Sequence, residues 1–264
     1  MSLARILLIG LIFVGVTEVA FAQQTSLHGT FDVTYLSSYI WRGFDAYPDD
    51  HSAIQPSIDL DLYGTGFGVK VFSSRANRGG FENEEWLDVT LSYHNSFFVN
   101  ENHMTDYCLG WVYYNYPDNS RKASDLQEAF VVFSWPRIFP AGLVPRYTLA
   151  HAWPAKSDSP NAHDDGGWVH VFTLGYDLAA PALLPKTKQQ ILHLSAEVVY
   201  NDGIGPAGKA VDHDWSHALF SVSTEFKIAQ NLSFVPAFYY QASMDDSVNT
   251  EDEIWYGLTM RYQF

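Results

Sequence analysis

The feature that most constrains this chain is a two-residue alternation of apolar and polar side chains, repeated along most of its length. The stretch "QILHLSAEVVYN" sets Leu192 and Leu194 against His193 and Ser195. The final residues, "LTMRYQF", alternate in the same way and end on Phe264. Two residues is the period of a β-strand, because successive side chains point to opposite faces. The sequence therefore predicts an all-β protein.

The alternation predicts about twelve strands, most of them about ten residues long or longer, which fits a tilted strand that crosses a bilayer. Connections after odd-numbered strands are polar and mostly long, as in "PAKSDSPNAHDDGG", whereas those after even-numbered strands include the tight "GTG" and "AQN". Long outer loops and short periplasmic turns are typical of outer-membrane barrels, and an even strand count places both termini on the periplasmic side. The predicted strands are 29–44, 54–64, 66–76, 83–95, 103–116, 124–135, 144–153, 166–178, 187–201, 214–228, 231–243 and 252–264.

The aromatic residues favour a membrane barrel over a soluble β-sandwich. They make up 16% of the chain, and many of the tryptophans and tyrosines lie toward predicted strand ends. Amphipathic rings at strand ends form the girdles that lie at headgroup depth in a membrane. A sandwich would instead bury the apolar faces of two sheets against each other. We therefore predict a transmembrane antiparallel up-and-down β-barrel, a single domain over residues 23–264.

The first 22 residues have the pattern of a secretory signal peptide. Arg5 precedes the apolar run "ILLIGLIFVGV", and the segment closes on the small-residue pattern "AFA". The alternative is a retained membrane anchor, but the apolar run is shorter than the ~20 residues that a spanning helix needs. The single cysteine, Cys108, offers no internal disulfide. We expect a mature chain from about Gln23, exported to the outer membrane of a Gram-negative bacterium.

The end of the chain is predicted to close the barrel against the first strand. A terminal Phe264, with Tyr262 and further apolar residues at alternate positions before it, also resembles the assembly signal of Gram-negative outer-membrane proteins. That resemblance implies the outer-membrane assembly machinery as a partner. The predicted location implies outer-membrane lipid and lipopolysaccharide as further partners.

The first predicted hairpin resembles a known family. Residues 36–74, "LSSYIWRGFDAYPDDHSAIQPSIDLDLYGTGFGVKVFSS", are similar to the opening of the Gcw_chp or TorF-like outer-membrane porin family, which begins with S-x-Y-x-x-R-G, a polar loop, a strand with proline and a Gly-turn-Gly return. The resemblance implies an outer-membrane barrel and a porin, with no assigned substrate. The loops here are longer and more acidic than that family leads one to expect. The matching positions are Ser37, Tyr39, Arg42, Gly43, Pro56, Gly64, Gly66 and Gly68.

The polar positions of the alternation are predicted to line a lumen for small solutes. Their acidic excess favours cations or neutral solutes over anions, and a net charge of −15 argues against nucleic acid as a partner. In the alternative, these charges pair across a lumen too narrow to conduct, and the plugged barrel acts as a structural, binding or adhesion protein through its acidic outer loops. The predicted lumen-lining residues are Asp32, Arg42, Asp59, Asp61, Lys70, Asp88, Glu128, Arg146, Glu197, Glu225, Lys227 and Arg261.

A membrane-embedded lipid hydrolase is a less favoured alternative. Such a site needs a hydroxyl nucleophile, a histidine within reach and an orienting polar group. Ser92 with His94, and His193 with Ser195, have the spacing of one strand face, but that spacing is ordinary among polar lumen residues. We expect no catalytic residues and no cofactor.

Loop carboxylates and histidines are weak candidates for a metal site. Imidazole and carboxylate together can hold a divalent ion, but the spacing here matches no defined loop such as the EF-hand. Solvated acidic loops, or loops bridged by divalent ions to lipopolysaccharide phosphates, are favoured instead. The weak candidates are Asp212, His213, Asp214 and His217.

Overall fold

A computed structural model of the chain describes residues 26–49, 51–119, 124–156, 166–182 and 189–264. The predicted signal peptide, residues 1–22, lies outside the described residues. Twelve antiparallel strands each pair with their neighbours in sequence, and the last pairs with the first to close a barrel. The strands are β1 His28–Leu36, β2 Ala53–Asp61, β3 Phe67–Ala76, β4 Trp86–Phe97, β5 Thr105–Asn115, β6 Leu126–Ser134, β7 Leu143–Pro154, β8 Gly167–Pro181, β9 Gln189–Ile204, β10 Ala210–Ser223, β11 Leu232–Ser243 and β12 Glu253–Gln263.

The barrel closes between β1 and β12, as the alternation at the end of the chain predicts. Phe31 lies opposite Tyr262, and Asp32 lies opposite Arg261. Beyond the last paired residues, Gly29 and Phe264 exchange two backbone hydrogen bonds of 3.0 Å. Closure satisfies the backbone groups that would otherwise form two open sheet edges.

The two faces of the barrel wall differ as a membrane requires. Large apolar side chains are exposed on the outer face, whereas the alternate, inward-facing positions carry most of the polar and charged groups. The predicted all-β barrel of twelve strands is confirmed. In the described part of the chain, no helix is both long and apolar enough to cross a membrane. The outward-facing set includes Leu91, Phe172, Phe220, Phe238, Leu258 and Met260.

The first predicted strand is wrong in its extent, and the difference shapes the lumen. The prediction ran the first strand over 29–44, but β1 ends at Leu36. The chain then folds into the barrel as a hairpin over Tyr39–Tyr47, which we call the lumen hairpin. Its two short strands are Ile40–Trp41 and Phe44–Asp45.

The turn of the lumen hairpin explains why β1 cannot continue. Arg42 and Gly43 are its two central residues, with φ of 50° and 94°. Positive φ at both central positions is the geometry of the two-residue type I′ turn that favours tight hairpins. The Arg-Gly pair of the S-x-Y-x-x-R-G motif therefore forms a turn inside the barrel and not the end of a strand.

The tenth strand also differs from its prediction of 214–228. β10 begins earlier, at Ala210, and ends at Ser223, and Phe226–Lys227 forms a separate two-residue strand against β11. A register shift between Val199 and Tyr200 of β9 leaves one extra residue in β10. Such a bulge changes which side chains face inward along a strand.

Two ends of the barrel can now be distinguished. At the loop end, β1, β3, β5, β7, β9 and β11 finish and the next strand of each pair begins, whereas the turn end carries the short connection 62–66, the start of β1 and the end of β12. The main buried core lies in the lumen toward the loop end, where the lumen hairpin packs on β3 to β6.

Candidate functional site: a hairpin across the lumen

The tip of the lumen hairpin is joined to the barrel wall by a two-pronged ion pair. The guanidinium of Arg42 donates two hydrogen bonds to Glu128 of β6, of 2.6 Å to Oε2 and 2.8 Å to Oε1. The side chain of Glu128 is 2% exposed and that of Arg42 is 22% exposed. Arg42 also lies 4.9 Å from the ring centroid of Trp41. Paired donors matched to a carboxylate fix geometry as well as charge.

The tip also reaches the opposite side of the barrel. Gln241 of β11 is 1% exposed and donates a hydrogen bond of 2.9 Å from Nε2 to the backbone oxygen of Gly43. A Cβ atom at Gly43 would lie 2.7 Å from Nδ1 of His217 and 2.8 Å from Cγ1 of Val248. Only glycine combines this φ with such a close approach. The hairpin therefore spans the lumen from β6 to β10 and β11.

The base of the hairpin is fixed by aromatic packing on the wall. Tyr47 is fully buried, and its hydroxyl donates to Oγ of Ser74, which also accepts from Nε2 of Gln55. The rings of Tyr39 and Trp86 lie 5.1 Å apart, and the backbone of Ala46 bonds back to Tyr39 at 2.8 Å. Large buried rings contribute strongly to packing. The base thus holds the hairpin in place while polar contacts position its tip.

The rest of the lumen near the loop end is lined by small apolar side chains. Ala150, Val169 and Val199, on β7, β8 and β9, are each 1% exposed and form one buried cluster. Phe44 of the hairpin packs with Val211 and Val248 in another cluster. In the described residues, hairpin and wall together narrow the lumen at the loop end.

The turn end of the lumen is polar and more accessible. Arg261 binds Asp32 with a shortest distance of 2.8 Å, and their side chains are 36% and 18% exposed. Midway along the wall, between the turn end and the hairpin, Thr173 donates to Glu197 at 3.2 Å. Asp59 and Lys70 lie directly opposite on neighbouring strands. Much of the predicted lumen charge therefore pairs locally along the wall.

The predicted lumen residues fall into three groups. Those on barrel strands face the lumen. Residues directly opposite each other on neighbouring strands point to the same face, and this pairing links the inward-facing positions from strand to strand. Arg42 projects from the lumen hairpin and not from the wall. Glu225 lies in the connection after β10, where it accepts from Ser233, and Lys227 lies in the short strand that follows. The strand group is Asp32, Asp59, Asp61, Lys70, Asp88, Glu128, Arg146, Glu197 and Arg261.

Asp88 differs from the other lumen carboxylates. It is 8% exposed, and its Oδ1 atom is buried without a hydrogen-bond partner in the described structure. Tyr114 and Phe72 lie opposite it on the neighbouring strands. Because Glu128 already pairs with Arg42, Asp88 is the less compensated carboxylate next to the hairpin.

The weak metal candidates do not converge. His213 is exposed and bonds through Nδ1 to Asp202 at 2.5 Å, whereas His217 is 2% exposed and bonds to Ser216 beneath the hairpin tip. Asp212 and Asp214 are exposed on the same strand as His213. The described residues contain no group of three or more His, Cys, Asp or Glu side chains arranged to hold a metal ion.

Of the serine–histidine pairs of the hydrolase alternative, Ser92 and His94 lie on β4, and His193 and Ser195 lie on β9, each pair on the inward face of its strand. His193 lies at the turn end and bonds through Nδ1 to Asp177 at 2.7 Å. Ser216 and His217, a pair that the sequence did not single out, share a hydrogen bond of 2.9 Å but are both buried below the hairpin. Their burial leaves no approach for a lipid ester, so this pair fixes local structure.

Comparisons with known proteins show which solved structures share this fold. No protein-family model matches the chain, and no curated protein sequence does. Among solved structures, the KdgM porin in complex with disordered oligogalacturonate has 11% identity and a TM-score of 0.52, over 89% of this chain and 99% of that one. The NanC porin has 9% identity and a TM-score of 0.54, over 89% and 100%.

A third solved structure extends the likeness. The COG4313 outer membrane channel from Pseudomonas putida F1 has 8% identity and a TM-score of 0.50, over 94% of this chain and 100% of that one. At such low identity the likeness concerns the fold alone. The fold is that of the small outer-membrane porins and channels, which belong to the class of transmembrane β-barrels.

Proposed function

We propose that this protein is an outer-membrane porin for small solutes and that the lumen hairpin forms its constriction. The observation that carries the proposal is the Arg42–Glu128 pair, which holds the hairpin across a lumen whose turn end is polar and accessible. A solute that crosses the barrel must pass this hairpin. The shared fold with two porins and the Gcw_chp or TorF-like resemblance of residues 36–74 support the same function.

The proposal includes location and processing. Residues 1–22 act as a cleaved signal peptide, and residues 23–264 form the outer-membrane barrel with both termini in the periplasm. The exposed apolar outer face contacts lipid and lipopolysaccharide, and Tyr262 and Phe264 are recognised by the assembly machinery. The chain carries out passage and not catalysis.

The lumen is proposed to favour cations. Arg42 neutralises Glu128 at the constriction, which leaves Asp88 and Glu197 as nearby carboxylates with less direct compensation. Charged side chains in a narrow passage act on ions through their local field. An acidic excess there lowers the energy of a cation relative to an anion.

A closed barrel is a second candidate function, favoured by the burial of the hairpin. Tyr47, Leu126 and Gln241 are at most 2% exposed, which shows dense packing across the loop end of the lumen. A barrel that stays closed would act through its outer loops, as a structural, binding or adhesion protein. The two functions differ in whether the purified protein conducts.

Single-channel recording of the refolded protein in a planar bilayer tests the proposal. We expect discrete conductance steps. In a KCl gradient, the sign of the reversal potential should show that K⁺ passes more readily than Cl⁻. The preference should fade near molar salt, where charges are screened within ~3 Å. Silence at all voltages would reject the porin and support the closed barrel, whereas an anion-selective pore would reject the acidic-lumen account.

A further inference from the structure

A cavity opens at the loop end of the barrel, on the outer side of the lumen hairpin. Its volume is about 790 Å³, within the range of small-molecule sites. The hairpin residues Phe44, Asp45 and Ala46 line it, with Pro48, Trp86 and Tyr116 beside them. A molecule in this cavity would therefore rest on the same hairpin whose tip crosses the lumen.

We propose that this cavity binds a neutral or cationic oligosaccharide. The inference rests on the proposed porin only in supposing that the solute arrives from the loop end. Binding itself requires the cavity and not conduction.

The described charges that line the cavity disfavour an anionic ligand. Asp45, Glu84 and Asp246 lie on its wall, against one lysine, Lys209, among the described lining residues. Glu84 and Asp246 are exposed, and Lys209 donates to the backbone oxygen of Ser247 at 3.5 Å. The acidic excess repels carboxylated sugars and attracts amino sugars.

The uncharged lining groups suit a hydroxylated ligand. Asn83 supplies a side-chain amide with two donor hydrogens and an acceptor. The amides of Asn119 and Asn249 already bond within the loops, but each keeps a second donor hydrogen and an acceptor lone pair. Phe81, which is partly buried, supplies apolar surface for the carbon–hydrogen face of a sugar ring. Pockets that combine apolar surface with a few polar groups that orient a ligand are typical binding sites.

Hydrogen bonds between the loops hold the cavity in shape. Nδ2 of Asn119 donates to the backbone oxygen of Asn83 at 2.5 Å, which joins two connections. The backbone N–H of Ala207 donates to the hydroxyl of Tyr116 at 3.2 Å. Burial raises the pKa of Tyr116 well above its usual value, so this hydroxyl stays protonated. A preformed cavity reduces the entropic cost of binding.

Backbone strain occurs at the same place. Ala207, which lines the cavity, has φ of 51° and ψ of 22° inside the short turn Pro206–Gly208. A residue with a side chain rarely adopts this left-handed conformation, and such strain persists where the surrounding contacts impose it. The bond to Tyr116 is one of those contacts, and it fixes the wall of the cavity.

Calorimetric titration of the purified full-length protein in detergent tests the inference. The probes are maltotriose, a glucosamine trimer and trigalacturonate at low ionic strength. We expect saturable binding of the first two and at least roughly tenfold weaker binding of trigalacturonate, because like charges oppose it. Phe81→Ala should weaken maltotriose binding, whereas Phe98→Ala, an exposed phenylalanine at the turn end, should leave it unchanged.

A charge-reversal variant tests the acidic wall directly. Glu84→Lys with Asp246→Lys should bring trigalacturonate binding up to the level of maltotriose, whereas Glu101→Lys at the turn end should not. No binding of any probe, preferred binding of trigalacturonate by the unaltered protein, or equal effects of Phe81→Ala and Phe98→Ala would overturn the inference. Binding without conductance would reject the porin and keep this site, and conductance without binding would do the reverse.

Discussion

Arg42 and Glu128, which are 86 positions apart in the chain, form two hydrogen bonds of 2.6 and 2.8 Å inside the barrel. The pair joins the tip of an inward-folded hairpin to β6. It places one cation and one anion at the narrow part of the lumen. Both the position of the hairpin and the charge of the passage depend on this contact.

Removing the negative charge of Glu128 should loosen the hairpin. Glu128→Gln leaves Arg42 partly buried without its partner, and breaking a buried ion pair costs ~3–5 kcal/mol. We expect a higher mean conductance and more frequent switching in single-channel records. Glu225→Gln, which removes the same charge near the turn end, is the matched control and should keep the wild-type conductance. Equal records for the two variants would show that the pair does not hold the hairpin.

A side chain at the tip of the hairpin should displace it. Gly43 and Gly80 both have positive φ, of 94° and 105°, so Gly→Ala costs ~1–2 kcal/mol of backbone strain at either position. At Gly43 the new methyl group would also lie 2.7 Å from His217, whereas at Gly80 no atom lies within 4 Å. Gly43→Ala should therefore lower the thermal unfolding temperature in detergent more than Gly80→Ala. Identical shifts would argue against the close approach of the tip to β10.

The sequence predicted the barrel but not the hairpin, for a physical reason. Alternation reports which side of a strand contacts lipid, so it identified twelve strands and the closing role of β12. Within the hairpin, Tyr39, Trp41 and Phe44 also look like strand residues, because aromatic rings inside a lumen give the same pattern as rings in lipid. Gly43 was the available signal, since glycine is the residue that most readily adopts the positive φ of a tight turn, whereas Arg42 gave none.

The site was predictable only in part for a related reason. Strand alternation indicated the inward-facing carboxylates, such as Asp59 and Asp88, once the register was assumed. It could not indicate which charges meet, because Arg42 reaches Glu128 through a fold-back of the chain. Contacts of Gln241 and His217 with the hairpin tip depend on closure of the barrel and on the bulge in β10, and neither has a local sequence signal.

Neutralising the lumen carboxylates should shift ion preference. Asp59→Asn, Asp61→Asn and Asp88→Asn together preserve shape while removing three ionisable carboxyl groups from the lumen, so the reversal potential should move toward anions. Arg42→Gln should move it the other way. Asp212→Asn, at an exposed position near the loop end, is a single-charge control. An unchanged reversal potential in the triple variant would contradict the assignment of these residues to the conducting lumen.

Charges on the last strand should block assembly. Tyr262 and Phe264 are 46% and 41% exposed on the outer face. Tyr262→Asp with Phe264→Asp should leave the precursor in the periplasm, as measured by fractionation. A lipid-facing charge costs less near the interface than the ~2–4 kcal/mol of Arg or Lys at mid-bilayer, so a complete block would indicate a lost assembly signal. Gln263→Asp, on the inward face, should insert normally, and normal insertion of the double variant would exclude this role.

The orientation of the barrel can be tested on intact cells. In a Cys108→Ser background, Asn83→Cys at the loop end should react with an impermeant maleimide, whereas Thr65→Cys at the turn end should react only after the outer membrane is opened. Both positions are exposed, so accessibility alone does not separate them. Labelling of Thr65→Cys alone on intact cells would invert the orientation.

Excision of the lumen hairpin tests the central claim most directly. Residues Tyr39–Tyr47 are replaced by a short Gly-Ser linker, and single-channel conductance is compared with that of the unaltered protein in the same bilayer and salt. We expect small, cation-selective steps for the unaltered protein and conductance at least severalfold larger without the hairpin, because the hairpin spans the narrow part of the lumen. Equal conductance in the two proteins, with the variant shown to fold by its β-sheet circular dichroism, would contradict the account.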